Sequence, residues 1–271
     1  MKFSSICFSF IFISNPLLIA EPFLVAHRGA SGNAPENTLP AFRLAWQEGA
    51  DAIEGDFHLT ADGSIVCIHD YDTRKTCGEK HVVAETKLSD LQSLDAGAWF
   101  HKKFSRTPIP TLGEVVETVP AGKKIFLEIK SGPEIVPSLI DTLEKSDLQP
   151  SQIVVISFKA EVIAALEKLR PAWTSYWLTS VKGKTLADLK PSSNEILTTL
   201  RNLGCDGVST SGNPLITKEW IDLIRGSGFE YHIWTVNDAD LARQFLRKGA
   251  QSITTDFPAK LRKQLFAKDR D

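Results

Sequence analysis

The sequence predicts a (β/α)8 barrel, and three observations predict it. Eight short runs rich in Val, Ile and Phe recur along the 271 residues. Helical patterns stand between them, so successive runs are linked by crossovers and pair in parallel. Eight such units, in a chain close to the roughly 250 residues typical of that fold, close a barrel. The competing architecture is a doubly wound open sheet, but no glycine-rich dinucleotide loop follows the first run.

Taken in order, the first element is not part of the barrel. Lys2, the apolar run Phe3 to Phe12 and the small Ala20 form a secretory signal pattern, residues 1–20, cut before Glu21. That predicts export, periplasmic or secreted, with residues 21–271 as the mature barrel. The alternative is an uncleaved anchor. Asn15 and Pro16 interrupt the ~20 apolar residues a spanning helix needs, so no stable membrane insertion is expected after cleavage. Cys7 leaves with the signal. Cys67, Cys77 and Cys205 remain, an odd number and no complete disulfide framework. Cys67 and Cys77 can pair in an oxidising compartment, or pack as small hydrophobes.

The strand candidates are Phe23 to His27, Asp51 to Phe57, Lys124 to Lys130, Gln152 to Ser157, Thr174 to Leu178, Cys205 to Ser209, Tyr231 to Thr235 and Ser252 to Thr255. Helical spacing marks Leu39 to Glu48, Leu112 to Val119, Glu134 to Lys145, Glu161 to Leu169, Glu219 to Arg225 and Ala239 to Lys248. Lys260 to Lys268 reads as the polar face of a last helix. A ninth run, Ser64 to His69, follows the second strand after only a short Asp62-Gly63 connection. A parallel crossover needs a dozen or more residues, so this pair must be an antiparallel hairpin. It carries His69 back over the barrel mouth, and residues 70–110 form an inserted capping segment there. Composition is that of a soluble globular protein, 42% hydrophobic and 24% charged. Basic and acidic residues balance at 31 against 33, which argues against a nucleic-acid partner. The sequence sets no oligomeric state.

Charged residues inside strands carry the chemistry. Glu54 and Asp56 are two apart, so both face the barrel axis, with Ala52, while Ile53 and Phe57 face the helices. Glu128 and Lys130 repeat the arrangement. Buried carboxylates need a cation, a donor or a proton. Three of them without a thiolate suit one hard divalent cation, Ca²⁺ or Mg²⁺. The alternative is an ion-pair network in which Arg28 and Lys130 neutralise the acids. His27 ends the first strand and His69 the hairpin. Two histidines above a carboxylate-bound metal can divide the work, one accepting a proton and the other donating one. Arg28 offers a planar fork suited to phosphate, Gly29 permits close backbone approach, and Lys130 adds a point charge. His58 shares the parity of Glu54 and reads as a rim residue. His232 shares the face of Trp234, and His81 and His101 fall in the cap.

These residues resemble the glycerophosphodiester phosphodiesterase family. The resemblance rests on His27-Arg28-Gly29, Ala34-Pro35-Glu36-Asn37-Thr38, Glu54-x-Asp56, Leu59 to Gly63, His69-Asp70 and Leu127 to Lys130. It continues through Trp234-Thr235-Val236-Asn237 and Thr255-Asp256-Phe257-Pro258, with Leu94 to Leu112 like the family's capping insertion, and spans residues 22 to 262 in order. It implies a TIM barrel that cleaves glycerophosphodiesters to sn-glycerol 3-phosphate and an alcohol. Glu54, Asp56 and Glu128 would hold one divalent cation. His27 and His69 would be general acid and base, with Arg28 and Lys130 on the phosphate. In the family's mechanism the substrate's own 2-hydroxyl attacks phosphorus, and water then opens the cyclic phosphate. Glu36 and Asn37 would orient these groups, and Trp234 would line the cleft or fill the barrel core. Gly55 departs from the family pattern, where a bulkier residue is usual. Tyr71 to Gly78, with Cys77, departs too, which bears on the shape of the cap. Two other functions fit the same residues: phospholipase D-like cleavage of lysophospholipids, for which Trp99, Phe100 and Phe104 would be a greasy rim, and a catalytically silent exported binding barrel.

Overall fold

The computed structural model describes residues 22–267, so the expected signal at residues 1–20 lies outside the described residues. Eight strands close in parallel about one axis. They are β1 (Phe23–Ala26), β2 (Ala52–Leu59), β4 (Lys124–Ile129), β5 (Ile153–Ser157), β6 (Thr174–Thr179), β7 (Gly207–Ser211), β8 (Glu230–Trp234) and β9 (Ser252–Thr255), with β3 (Ile65–Cys67) outside the ring. β1 pairs with both β2 and β9, which closes the barrel and leaves it no open edge. The predicted fold class holds. Strand β7, the sixth of the barrel, starts at Gly207 rather than Cys205 because Cys205 packs into the helical layer before the chain enters the sheet.

Strand alternation divides the core into two layers. Val25, Ala52, Phe126, Val154, Ile156, Tyr176 and Leu178 fill the barrel interior. Ile53, Phe57, Ile125, Leu127, Ile129 and Val155 point outward beneath the helices. Full burial of each such side chain stabilises the fold by about 1.5–3 kcal/mol, so the outward layer fixes the register of every strand. Gly55 belongs to this layer. A β-carbon there would lie 3.1 Å from both Cys67 Sγ and Phe42 Cζ, so those two side chains already occupy the space a bulkier residue would use.

The helices are α1 (Leu39–Gln47), α4 (Leu112–Val116), α5 (Val136–Glu144), α6 (Ala160–Leu169), α7 (Ser193–Leu203), α8 (Lys218–Gly226), α9 (Ala239–Lys248) and α10 (Pro258–Ala267), with the short α2 (Arg74–Cys77) and α3 (Leu88–Gln92) in the cap. Thr38 caps α1 by accepting from the Ala41 N–H, and Pro40 in the first turn sacrifices no helical bond. α7, for which no periodic run is named above, starts at a capping box in which Ser192 and Glu195 satisfy each other's backbone. α4 stops at Val116, short of the predicted Val119. Among the described residues no helix is long and apolar enough to cross a membrane.

The hairpin forms as predicted. Phe57 pairs with Cys67 and Leu59 with Ile65, antiparallel, around a turn in which Gly63 takes a φ of 80°. Val66, Ile68, Val83, Leu91, Ala96 and Ile109 give the cap a small core of its own. Cys67 and Cys77 are free thiols, as is Cys205. They do not pair because Cys67 is buried in the barrel's outer layer while Cys77 packs against the cap core. The opposite end of the barrel is closed by His232. Its ring stacks on Tyr176 at 4.3 Å and bonds Ser252 and Glu230, so it is a structural plug.

Candidate active site

The C-terminal ends of the strands surround a cleft of about 310 Å³. His27, Arg28, Glu54, His69, Glu128 and Lys130 form one wall of it. Phe126, Ile156, Phe158, Leu178 and Trp234 form the other. The other strand-end positions picked out by charge alone converge here, and Asp56 is buried beside Glu54 and Glu128. A wider hollow of about 640 Å³ lies among the helices, lined by residues such as Glu117, Lys145 and Asp147, and holds no histidine.

The loop after β1 is bent to serve the acids. Arg28 and Asn37, neither of them glycine, take positive φ values of 54° and 57°. Each such backbone costs on the order of 1–3 kcal/mol, and it persists only where surrounding bonds hold it. Those bonds are present. The Arg28 N–H donates to Glu54 Oε2 at 2.8 Å, and its Nε lies 3.1 Å from Asp56 Oδ2. Asn37 Nδ2 donates to Asp56 Oδ2 at 2.8 Å, while its Oδ1 accepts from the Asp56 N–H and the Cys67 thiol. Gly29 cannot be replaced cheaply, since a β-carbon there would sit 2.6 Å from the backbone of Ala41. Glu36 completes the loop by accepting from Arg28 Nη1 at 3.0 Å.

Glu54, Asp56 and Glu128 each present one carboxylate oxygen, all within 4.8 Å of one another. Glu54 Oε1 and Asp56 Oδ1 are buried and have no hydrogen-bond partner. Two orphaned acceptors in one spot are costly unless a cation sits there. Asp56 Oδ1 has Lys130 Nζ at 3.4 Å, too long for a good bond, and Lys130 gives its short contact, 2.7 Å, to Glu128. The acids are thus partly neutralised and partly unpartnered. Arg28 and Lys130 pair with them, while Glu54 Oε1 and Asp56 Oδ1 keep no hydrogen-bond partner. Burial together with the charges of Asp56 and Glu128 pushes Glu54 up to about 8. Asp56 stays below its ordinary range, because Arg28 and Lys130 outweigh its burial. Burial and the Asp56 charge raise Glu128.

Each candidate histidine is oriented by a carboxylate that the sequence reading assigned no role. His27 Nδ1 lies 2.7 Å from Asp256 Oδ1, and His69 Nδ1 lies 2.6 Å from Asp70 Oδ1, which leaves the second ring nitrogen of each for substrate. Asp256 is itself held by Ser31 Oγ at 3.0 Å and Asn237 Nδ2 at 2.6 Å. The sequence signal was there, because Asn237 and Asp256 lie in stretches carrying the resemblance, but nothing local links them to His27. The two histidines are shifted in opposite directions. Burial lowers His27, but the bond to Asp256 and the charge of Glu54 more than reverse this and raise it. Burial dominates at His69 and lowers it. Asp256, despite burial, is pulled down to about 2 by His27 and Asn237. In the Asp256→Asn variant the His27 ring is therefore expected to titrate at lower pH than in the wild type. Ring NMR signals followed against pH check this; an unmoved midpoint would mean that Asp256 does not hold the proton on His27.

Trp234 faces the cleft, as one of its two expected placements required. Its Nε1 donates to Ser209 O at 3.1 Å and its ring meets Phe158 edge-on at 5.4 Å. Phe158 was not anticipated, and its place just beyond β5 puts it on the same rim. His58 supports the hairpin from the rim through a 3.2 Å contact to His69 O. In the cap, Phe100 meets Trp99 and Phe104 edge-on, Trp99 is partly exposed, and none of the three is among the residues lining the cleft.

Comparison with known proteins agrees with this geometry. The sequence profile of the Glycerophosphoryl diester phosphodiesterase family matches residues 27–260. A glycerophosphodiester phosphodiesterase of Bacillus subtilis is 29% identical over 252 residues, 86% of this chain and 83% of that protein. A putative glycerophosphodiester phosphodiesterase of the same organism is 30% identical, over 87% of this chain and 95% of its own length. Among solved structures, an Oleispira antarctica phosphodiesterase in complex with the product sn-glycerol-3-phosphate superposes with a TM-score of 0.80 at 27% identity, covering 90% of this chain and 96% of that one.

Proposed function

This chain belongs to the glycerophosphoryl diester phosphodiesterase family, and from that footing we propose that it hydrolyses glycerophosphodiesters to sn-glycerol 3-phosphate and an alcohol with one divalent cation, Ca²⁺ or Mg²⁺. The observation that carries the reading is the pair of orphaned oxygens, Glu54 Oε1 and Asp56 Oδ1, beside Glu128 and beneath two histidines. Glu54, Asp56 and Glu128 would hold the cation, which when bound neutralises phosphoryl charge and acidifies a coordinated hydroxyl.

The chain's own groups divide the remaining work. Arg28 and Lys130 line the cleft and attract the phosphodiester. His69, whose basicity burial lowers, accepts the proton of the attacking substrate hydroxyl, and His27, whose basicity Asp256 and Glu54 raise, donates one to the departing alcohol oxygen. Water then opens the cyclic phosphate with the two roles reversed. Asp70 and Asp256 keep each ring in one orientation throughout. The apolar wall of Phe158 and Trp234 excludes water beside the reacting atoms and packs on the carbon skeleton of the substrate. Export under the signal pattern of residues 1–20 is part of the same proposal.

Purified protein supplied with Ca²⁺ or Mg²⁺ is expected to release sn-glycerol 3-phosphate from glycerophosphocholine. EDTA is expected to stop the release, and excess metal to restore it. No release from a panel of glycerophosphodiesters with any divalent ion would sink the proposal.

A further inference from the structure

The segment that departs from the family pattern, Tyr71 to Gly78, carries a cation into contact with the phosphate-binding loop. The turn of α2 is held rigidly. Asp72 accepts from both the backbone N–H and the Nε of Arg74. Thr73 Oγ1 donates to Glu79 O at 2.5 Å and accepts from the His81 N–H at 3.1 Å. Thr76 is buried and borders the same small cavity as Glu36, Asn37 and His69, so the turn is seated against the loop after β1. From that platform Lys75 Nζ donates to both oxygens of Glu36, at 2.9 Å each. Glu36 Oε1 is the same oxygen that Arg28 Nη1 reaches at 3.0 Å.

We propose that Lys75 is a positioning residue for anion binding: it draws the Glu36 charge away from Arg28 and locks the cap to the loop that bears Arg28. The inference rests on the phosphate-binding role given to Arg28 above. Arg28 stands between two carboxylates, Glu36 and Asp56. A guanidinium neutralised from both sides attracts a phosphodiester weakly. Lys75 shares one of those carboxylates and so leaves part of the guanidinium charge for substrate. Its side chain is 46% exposed, so water screens the interaction and the effect is moderate. Lys75 also lines, with His69 and Asp70, a shallow hollow. The cap and the loop that bears Arg28 thus share one ionic joint.

The test is the affinity of the full protein for sn-glycerol 3-phosphate in saturating Mg²⁺, by calorimetry, with steady-state kinetics alongside. Lys75→Ala is expected to weaken binding about fivefold, the upper range for a partly exposed ion pair. KM should rise by a similar factor, with kcat within about twofold of wild type on the same reasoning. Lys75→Arg is expected to retain binding, and Lys75→Glu to bind more weakly than Lys75→Ala. Unchanged affinity in Lys75→Ala overturns the inference, as does an equal loss in Lys75→Arg or a fall in kcat with KM unmoved. A lower melting temperature with unaltered affinity overturns it too, since Lys75 would then be merely structural. Wild-type protein that binds sn-glycerol 3-phosphate but turns over no diester would remove the hydrolase reading and leave this one standing. A wild type that does not bind it overturns this one.

Discussion

Replacing His69 by alanine is expected to lower kcat by about 10²- to 10⁴-fold, the contribution of one positioned acid–base group, while the affinity for Mg²⁺ or Ca²⁺ stays at the wild-type value. The separation of effects follows from geometry. His69 lines the cleft from the hairpin, and its polar contact is Asp70, not any of the three acids. It is half-exposed at the rim, so truncation removes little packing and the variant should fold. Single-turnover assays and metal titrations on the same preparation read the two quantities. Undiminished turnover would remove His69 from the mechanism; a parallel loss of metal affinity would make it part of the metal site.

Asp56→Asn should be more damaging still, because it strikes binding and charge balance together. Asp56 accepts Asn37, faces Arg28 and Lys130, and offers an orphaned oxygen to the cation. An amide there donates where a metal needs an acceptor, and it leaves two half-buried cations short of a counter-charge. Metal affinity is expected to fall at least about 100-fold, beyond the range typical of lost supporting contacts, with activity falling alongside. A companion effect concerns the wild type. Glu54, raised to about 8 in the metal-free protein, holds a proton at neutral pH that a metal must displace. Below pH 8 the proton competes, so affinity should drop up to about tenfold per pH unit, and it should level off above pH 8. Calorimetry at pH 7 in buffers of different ionisation enthalpy should register close to one proton released. No release at pH 7 would show that Glu54 is already ionised.

Much of this site was legible because the determining signals are local. Parity along a strand puts Glu54 beside Asp56, and Glu128 with Lys130, on the inward face of any barrel these strands build. The short Asp62-Gly63 connection forces an antiparallel return and carries His69 over the mouth. Neither conclusion needs a third dimension beyond the period of a strand and the reach of a turn. Gly55 shows where such reasoning stops. Its side-chain slot is filled by Phe42 from a helix and Cys67 from the hairpin, and spacing alone does not reveal that the three meet.

The sequence by itself therefore determined the barrel, the inward acids, both histidines and the cap. Tertiary structure decided which groups hold those residues in place. Asp256 reaches His27 across 229 positions because β9 closes against β1. Lys75 reaches Glu36 across 39 because the cap folds back on the first loop. Periodicity reports the direction of a side chain relative to its own strand, whereas a hydrogen bond between distant segments depends on chain closure, which only the folded barrel specifies. The same holds for the opposed shifts of the two histidines. Charge type is written in the sequence, but burial and the distance to each neighbouring carboxylate set which imidazole is shifted up and which down.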